Sequence, residues 1–260
     1  MAGKFKYELG INEFKSTKDK IYRAVIAEFL GNFILNFFAV GACTQIQDGT
    51  FKALAFGLGV FMAIVIVGHV SGGHVNPAVT LGMLVVGKIS VFKALLYIIA
   101  QCCGAIAGTA SIKALLDEKY YNGLGHTSLA EHQTALQGLG FEFFLGLVLV
   151  LTVFGATDEN KKDNHYTAPF AIGMSVTLGH LGTIRYTGSS MNPARTLGTA
   201  VITGVWDDHW IYWVGPILGG IAAALIYTQI LQSKRDISDE YMPPADSEEL
   251  KKFEKRHEYA

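Results

Sequence analysis

Two short stretches decide how this chain folds: SGGHVNPAVT at 71–80 and TGSSMNPART at 187–196, the second lying 116 residues after the first. Each carries Asn-Pro-Ala directly after a glycine-bearing turn. Asparagine is favoured as a helix N-cap and proline at the first helical position, so Asn76-Pro77 and Asn192-Pro193 each read as a helix start. The mostly apolar run behind each, through about Val86 and about Gly204, is roughly ten to twelve residues, about half of what a membrane crossing needs. Each is therefore expected to be a half-helix that dips into a membrane without crossing it.

The sequence around the two stretches supplies the membrane. Half of the 260 residues are hydrophobic and 17% are charged, against roughly 25% charged in an ordinary soluble domain. Long apolar stretches occur at about 21–43, 53–70, 91–114, 139–156, 166–183 and 210–232, each near the roughly 20 residues that cross about 30 Å of hydrocarbon. The expected fold class is an all-α membrane protein of six transmembrane helices plus two re-entrant half-helices. The first stretch is preceded by about 20 mostly polar residues and is read as a retained span, not a cleaved signal.

The match between the halves is wider than the two Asn-Pro-Ala signals. A shift of 116 lays AFGLGVFM at 55–62 over AIGMSVTL at 171–178; AEFLGNF at 27–33 resembles FEFFLGL at 141–147, and YIIAQCCG at 97–104 resembles YWVGPILG at 212–219. Three spans per half is an odd number, so the second half enters from the opposite side and the repeats are inverted about an axis in the membrane plane. The half-helices then come from opposite faces and their N-termini meet near the midplane. Irregular backbone at that depth must be buried in protein or line a water-filled cavity, and Gly72, Gly73 and Gly188 suit so tight a turn. Two opposed N-termini present about half a positive charge each, and the Asn76 and Asn192 amides add donors. Such a place holds a neutral polar molecule by its oxygen and disfavours a cation or a proton defect, which implies a proton-excluding pore.

Basic residues set the orientation, since Lys and Arg in short loops favour the cytoplasmic side. With the N-terminus inside, six lie before or at the start of the first span (Lys4, Lys6, Lys15, Lys18, Lys20, Arg23) and ten elsewhere on that side, while Lys52, Lys113, Lys119 and Arg185 fall outside. Both termini are expected in the cytoplasm. The chain divides into a cytoplasmic N-terminal segment (1–20), a channel domain (21–232, repeat one about 21–114 and repeat two about 139–232) and a cytoplasmic tail (233–260). The tail is polar, holds Pro243-Pro244, and its Ser238 reads as a solvated residue. Cys43, Cys102 and Cys103 are odd in number, lie in or beside apolar spans, and read as packing residues.

The doubled boxes HVNPAVT and MNPART, with the flanks IIAQCCGA and HWIYWVGP, resemble the aquaporin, or major intrinsic protein, family over roughly residues 20–232. The resemblance implies a pore in each subunit of a homotetramer, built around Asn76, Pro77, Ala78, Asn192, Pro193 and Ala194. It further implies a selectivity filter of Phe56, His180, Ser189 and Arg195. Arg195 would repel cations while donating hydrogen bonds to water, and the bulk of His180 would narrow the filter. Glycerol-conducting relatives typically carry a small residue in place of the histidine and an aspartate after the arginine. Here those positions hold His180 and Thr196, and Ala200, Tyr212 and Trp213 also look like the water-type pattern. Many members carry a filter cysteine where this chain has Ser189, so weak inhibition by mercurials is expected. Glu28 and Glu142 resemble the family's loop-bracing glutamates; a proton relay is the alternative for carboxylates within spans. His74 is read as a residue of the cytoplasmic pore mouth, with a pH gate as its sharper role. His69 and His209 read as loop or interface residues.

No paired nucleophile and base, metal cluster or phosphate loop stands out, so the chain is not expected to be an enzyme or to carry a cofactor or metal. A coupled transporter is disfavoured because the only deep carboxylates resemble bracing residues. Water is the expected permeant, the plasma-membrane bilayer the expected surrounding, and no nucleic-acid partner is implied. A glycerol or urea facilitator and a poorly conducting junction or adhesion protein of the same fold are the alternatives.

Overall fold

The computed structural model describes residues 8–10, 21–45, 47–158, 160 and 167–232. The readings placed on residues 1–7, 11–20, 161–162 and 233–260, among them Ser238 and Pro243-Pro244, lie outside the described residues. In chain order the helices are α1 (Ile21–Gln45), α2 (Gly49–Ser71), α3 (Pro77–Val85), α4 (Val91–Leu115), α5 (Ala135–Ala156), α6 (Ala168–Thr187), α7 (Pro193–Thr203) and α8 (Ile211–Ile226), the last running into a π turn at Tyr227–Leu231. The described residues contain no strand.

Two helices start four residues before their apolar runs, because their caps lie in polar turns. Asp48 accepts from the Phe51 amide at the start of α2. Thr134 and Gln137 form a reciprocal capping box at the start of α5, which satisfies amides that have no partner in the first turn.

Five helices, α1, α2, α4, α5 and α8 with its π turn, are long and apolar enough by themselves to cross a bilayer. The sixth expected span is α6. Its 20 residues reach about 30 Å, yet Ser175, Thr177, His180, Thr183 and Arg185 make it more polar than the other five. His180, Val176 and Ile172 of this helix line the central cavity. Ser175, Thr177 and His180 are buried, Arg185 is exposed in the last turn, and Phe170, Leu178 and Leu181 are exposed on the outer side.

The packing repeats with the sequence. α1 packs on α4 as α5 packs on α8, each half-helix packs on the last helix of the other half, and α2 packs on α6 across the pseudo-two-fold axis. Gly57 and Gly173, 116 residues apart, meet there. A Cβ on Gly173 would lie 2.6 Å from the Gly57 carbonyl oxygen, so neither position has room for a side chain. Gly104 presses on the Phe29 carbonyl in the first half, and Gly219 on the Phe143 carbonyl in the second. Small residues let backbones approach where helix contact must come from packing instead of water exclusion. Leu30, Leu54, Leu58, Leu95, Phe144 and Leu218 are exposed around the outside, a surface that suits hydrocarbon or another subunit and not water.

Candidate functional site

Both half-helices begin as the motif dictates. Asn76 caps α3 by accepting from the Ala78 amide at 2.8 Å, and Asn192 caps α7 by accepting from Ala194 and Arg195 at 3.0 and 3.2 Å. The side-chain amides then cross over: Asn76 Nδ2 donates to the Met191 carbonyl at 2.8 Å, and Asn192 Nδ2 donates to the Val75 carbonyl at 2.8 Å. Each NH₂ group spends one proton on the opposite loop and keeps one for the cavity that both residues line.

Val75 and Met191 are held in left-handed backbone, at φ 50° and 56°, which costs on the order of 1–3 kcal/mol each for non-glycine residues. Two buried carboxylates offset that strain. Glu28 Oε2 accepts from the Val75 amide at 2.7 Å, and Glu142 Oε2 accepts from the Met191 amide at 2.9 Å. Each strained residue is therefore fixed at its N–H by its own repeat and at its C=O by the other. Glu28 also accepts from Ser71, the His74 amide and Gln101; Glu142 also accepts from Thr187 and the Ser190 amide. Tyr97 and Tyr212 complete the pair of braces by donating to the carbonyls of Ser71 and Thr187.

A cavity of about 730 Å³ runs past this junction, lined among others by Phe56, His74, Asn76, Asn192, His180 and Arg195, and reaching Lys88 and Thr157 at one end. A second, of about 240 Å³, is lined by Lys52, His126, Arg185 and Gly188. The two share Phe56 and Arg195, so these residues form the neck between them. The Phe56 and His180 rings stack with centroids 4.5 Å apart, and the Arg195 guanidinium lies 4.5 Å from the Phe56 centroid. Phe56 thus touches both His180 and Arg195, the side chains it is expected to face across a filter.

The neck has a defined hydrogen-bonding character. His180 Nδ1 lies 3.0 Å from the Val176 carbonyl, which can only accept, so Nδ1 carries the proton and Nε2 is a bare acceptor. That Nε2 has no protein partner, and neither have Arg195 Nε and Nη1. Arg195 is 2% exposed, and its carbonyl is held by Asn36 Nδ2 at 3.2 Å. Among the described residues the only ion pair joins Lys119 to Asp117, so no carboxylate neutralises Arg195 by contact. Buried donors, a buried acceptor and an unpaired positive charge therefore meet where the passage is narrowest.

The remaining residues singled out in the sequence have the following places. Ser189 sits in left-handed backbone at φ 53° and its hydroxyl accepts from Thr183 at 3.1 Å; its neighbour Gly188 is the residue that lines the smaller cavity. Of the three cysteines taken as packing residues, Cys43 is buried in the core and also lines that cavity, Cys102 is half-buried, and Cys103 is exposed. His69, taken as a loop or interface residue, closes α2 and lines the larger cavity, whereas His209 accepts from Trp213 Nε1 at 3.1 Å. Thr80, Gln101, Ser71 and Thr187 were missed. The repeat shift that finds the motif also relates Ser71 to Thr187 and Thr80 to Thr196, and that pairing was the available signal.

Opposed half-helices in a shell of apolar helices, with a necked passage through one chain, define a polytopic membrane protein of the channel-forming class. The Major intrinsic protein profile matches residues 15–227. Human Aquaporin-1 is 46% identical over 240 residues, covering 88% of each chain, and Aquaporin FA-CHIP of Pelophylax lessonae is 44% identical over 244 residues, covering 88% of this chain and 89% of the relative. Among solved structures, the aquaglyceroporin from Plasmodium falciparum superposes with a TM-score of 0.76 at 25% identity, over 82% of this chain and 97% of that one. The chain belongs to the Major intrinsic protein family and is an integral membrane protein.

Proposed function

We propose that this chain is a passive, water-selective channel of the plasma membrane, working as a homotetramer with both termini in the cytoplasm. The observation that carries the reading is the neck. Phe56, His180 and Arg195 crowd together where the two cavities join, and they offer a passing molecule unpartnered donors and an acceptor in place of its water neighbours. A cation meets an unpaired guanidinium there, and deeper in it meets two opposed half-helix N-termini, each worth about half a positive charge. Water carries no charge to be repelled and matches both donors and acceptors.

Lys88 lies at one end of the passage, and the described Glu8–Gly10 segment bonds to the start of α4 beside it. The positive-inside rule assigns that end to the cytoplasm. The glycerol reading draws on the likeness to an aquaglyceroporin structure, and the bulk of His180 opposes it. Osmotic stopped-flow light scattering on the protein in liposomes tests the proposal. Fast shrinkage against an impermeant solute with slow glycerol entry is expected; equally fast glycerol entry would favour the facilitator, and flux no greater than in protein-free liposomes would favour a junction protein.

A further inference from the structure

The larger cavity also passes His74, whose ring contacts a hydrogen-bond relay outside the neck. His74 Nδ1 lies 3.1 Å from Thr80 Oγ1. The same hydroxyl lies 3.0 Å from the Asn76 carbonyl and 3.0 Å from Gln101 Nε2. Gln101 Nε2 also lies 2.8 Å from Glu28 Oε2. With four donors on its two oxygens, Glu28 acts as an acceptor only. This fixes the Gln101 amide with both N–H groups spent, one on Glu28 and one on Thr80.

Thr80 then has three close partners and a single proton. If that proton went to His74, the hydroxyl and the Asn76 carbonyl would face each other at 3.0 Å as two lone pairs. If it went to Asn76 while His74 Nδ1 were bare, the same repulsion would arise at 3.1 Å. One arrangement makes all three contacts attractive: Gln101 donates to Thr80, Thr80 donates to Asn76, and His74 Nδ1–H donates to Thr80. We propose that Thr80 and Gln101 are positioning residues that fix His74 as its Nδ1–H tautomer, so that its Nε2 accepts a hydrogen bond from water in the conduit. This inference rests on the water-channel reading.

The second repeat supports the reading by contrast. Thr196, 116 residues after Thr80, bonds to Ser190, which stands in the place of His74, at 2.6 Å, and is joined by Thr127 at 3.0 Å. Pro216 stands at the place of Gln101, 115 residues on. A hydroxyl at this helical position braces the loop in both halves, but only the first half adds a ring with a second nitrogen. His74 and Gly72 both line the cavity, and a Cβ on Gly72 would lie 3.7 Å from His74 Nε2. With His180 Nε2 also bare, one acceptor stands on each side of the asparagine pair. Water hydrogens are drawn outward on both sides, while the asparagine amides hold a central water by its oxygen.

Solid-state nitrogen-15 spectra of the full chain in bilayers, with labelled histidine, read the tautomer directly, and loss of signals in His74→Asn identifies the residue. The expected result is a protonated Nδ1 and a bare Nε2. Thr80→Val should move the proton to Nε2 and lower water permeability several-fold, and Thr80→Ser should restore both. A protonated Nε2 in the unaltered chain, or an unchanged tautomer in folded Thr80→Val, overturns the proposal. If Thr80→Val does not fold, the unaltered spectrum still decides. Water flux through the same unaltered preparation tests the channel reading separately, since absent flux with Nδ1 protonated would overturn that reading and leave the tautomer standing.

Discussion

At the neck, bulk and charge come from different residues, so they can be removed separately and together. His180 contributes the ring that stacks on Phe56, and Arg195 contributes the unpaired guanidinium. The double variant His180→Ala with Arg195→Val is expected to admit glycerol and urea at rates well above the unaltered chain while water still passes; unchanged solute exclusion in a folded double variant would remove these two from the filter. Cys43 lines the smaller cavity that opens onto this neck, whereas the cysteine-free position 189 points into Thr183. Whatever mercurial block the channel shows is thus expected to vanish in Cys43→Ser and to survive Cys102→Ser with Cys103→Ser. His126 lines the same cavity, and burial together with the Arg195 charge pushes it down from 6.5 to about 4. Its folded value lies below its unfolded one, so its stabilising contribution is complete above about pH 6.5 and is lost as pH falls toward 4. Thermal midpoints measured from pH 8 to pH 4 should decline below about 6.5, and less steeply in His126→Gln.

The bracing carboxylates belong to the scale of the elements, because each joins a spanning helix to a re-entrant loop. Both oxygens of Glu28 accept two donors, whereas Glu142 Oε2 takes a single amide. A glutamine must turn its NH₂ toward one of these sites. In Glu28→Gln it opposes two donors, and the loss is expected to reach about 3 kcal/mol or more, since a hydrogen bond to a charged group contributes about 1.5–3. Glu142→Gln opposes one donor and should cost less; thermal denaturation in detergent ranks the two, and the reverse order would contradict the bracing geometry. All six spans were legible because a bilayer demands about 20 consecutive apolar residues whatever the partners. α6 carries more polar residues than the other spans because it lines the conduit, and the starts of α2 and α5 were misplaced because Asp48 and the Thr134–Gln137 box lie in polar turns. The Asn-Pro-Ala caps were legible because capping is local. The Thr80–Gln101–Glu28 relay was not, since its members lie 21 and 73 residues apart and meet only after the helices pack.

For the whole molecule, the decisive property is that the conduit is complete within one chain. Its lining comes from both repeats, from α2 and the first loop through α5 and α6 to the second loop, and the Gly57–Gly173 contact closes the repeats on each other at their axis. A homotetramer of such chains would hold four separate passages, and the subunits would share lipid-facing surface and no part of the filter. Conductance is therefore expected to be additive. Co-expressing the unaltered chain with His180→Trp, whose larger ring fills the neck while leaving the outer surface alone, generates mixed assemblies. Water permeability of the reconstituted vesicles should fall in direct proportion to the fraction of unaltered chains. A decline as a higher power of that fraction would mean that a blocked subunit silences its neighbours, and the passage could then no longer be regarded as the property of a single chain.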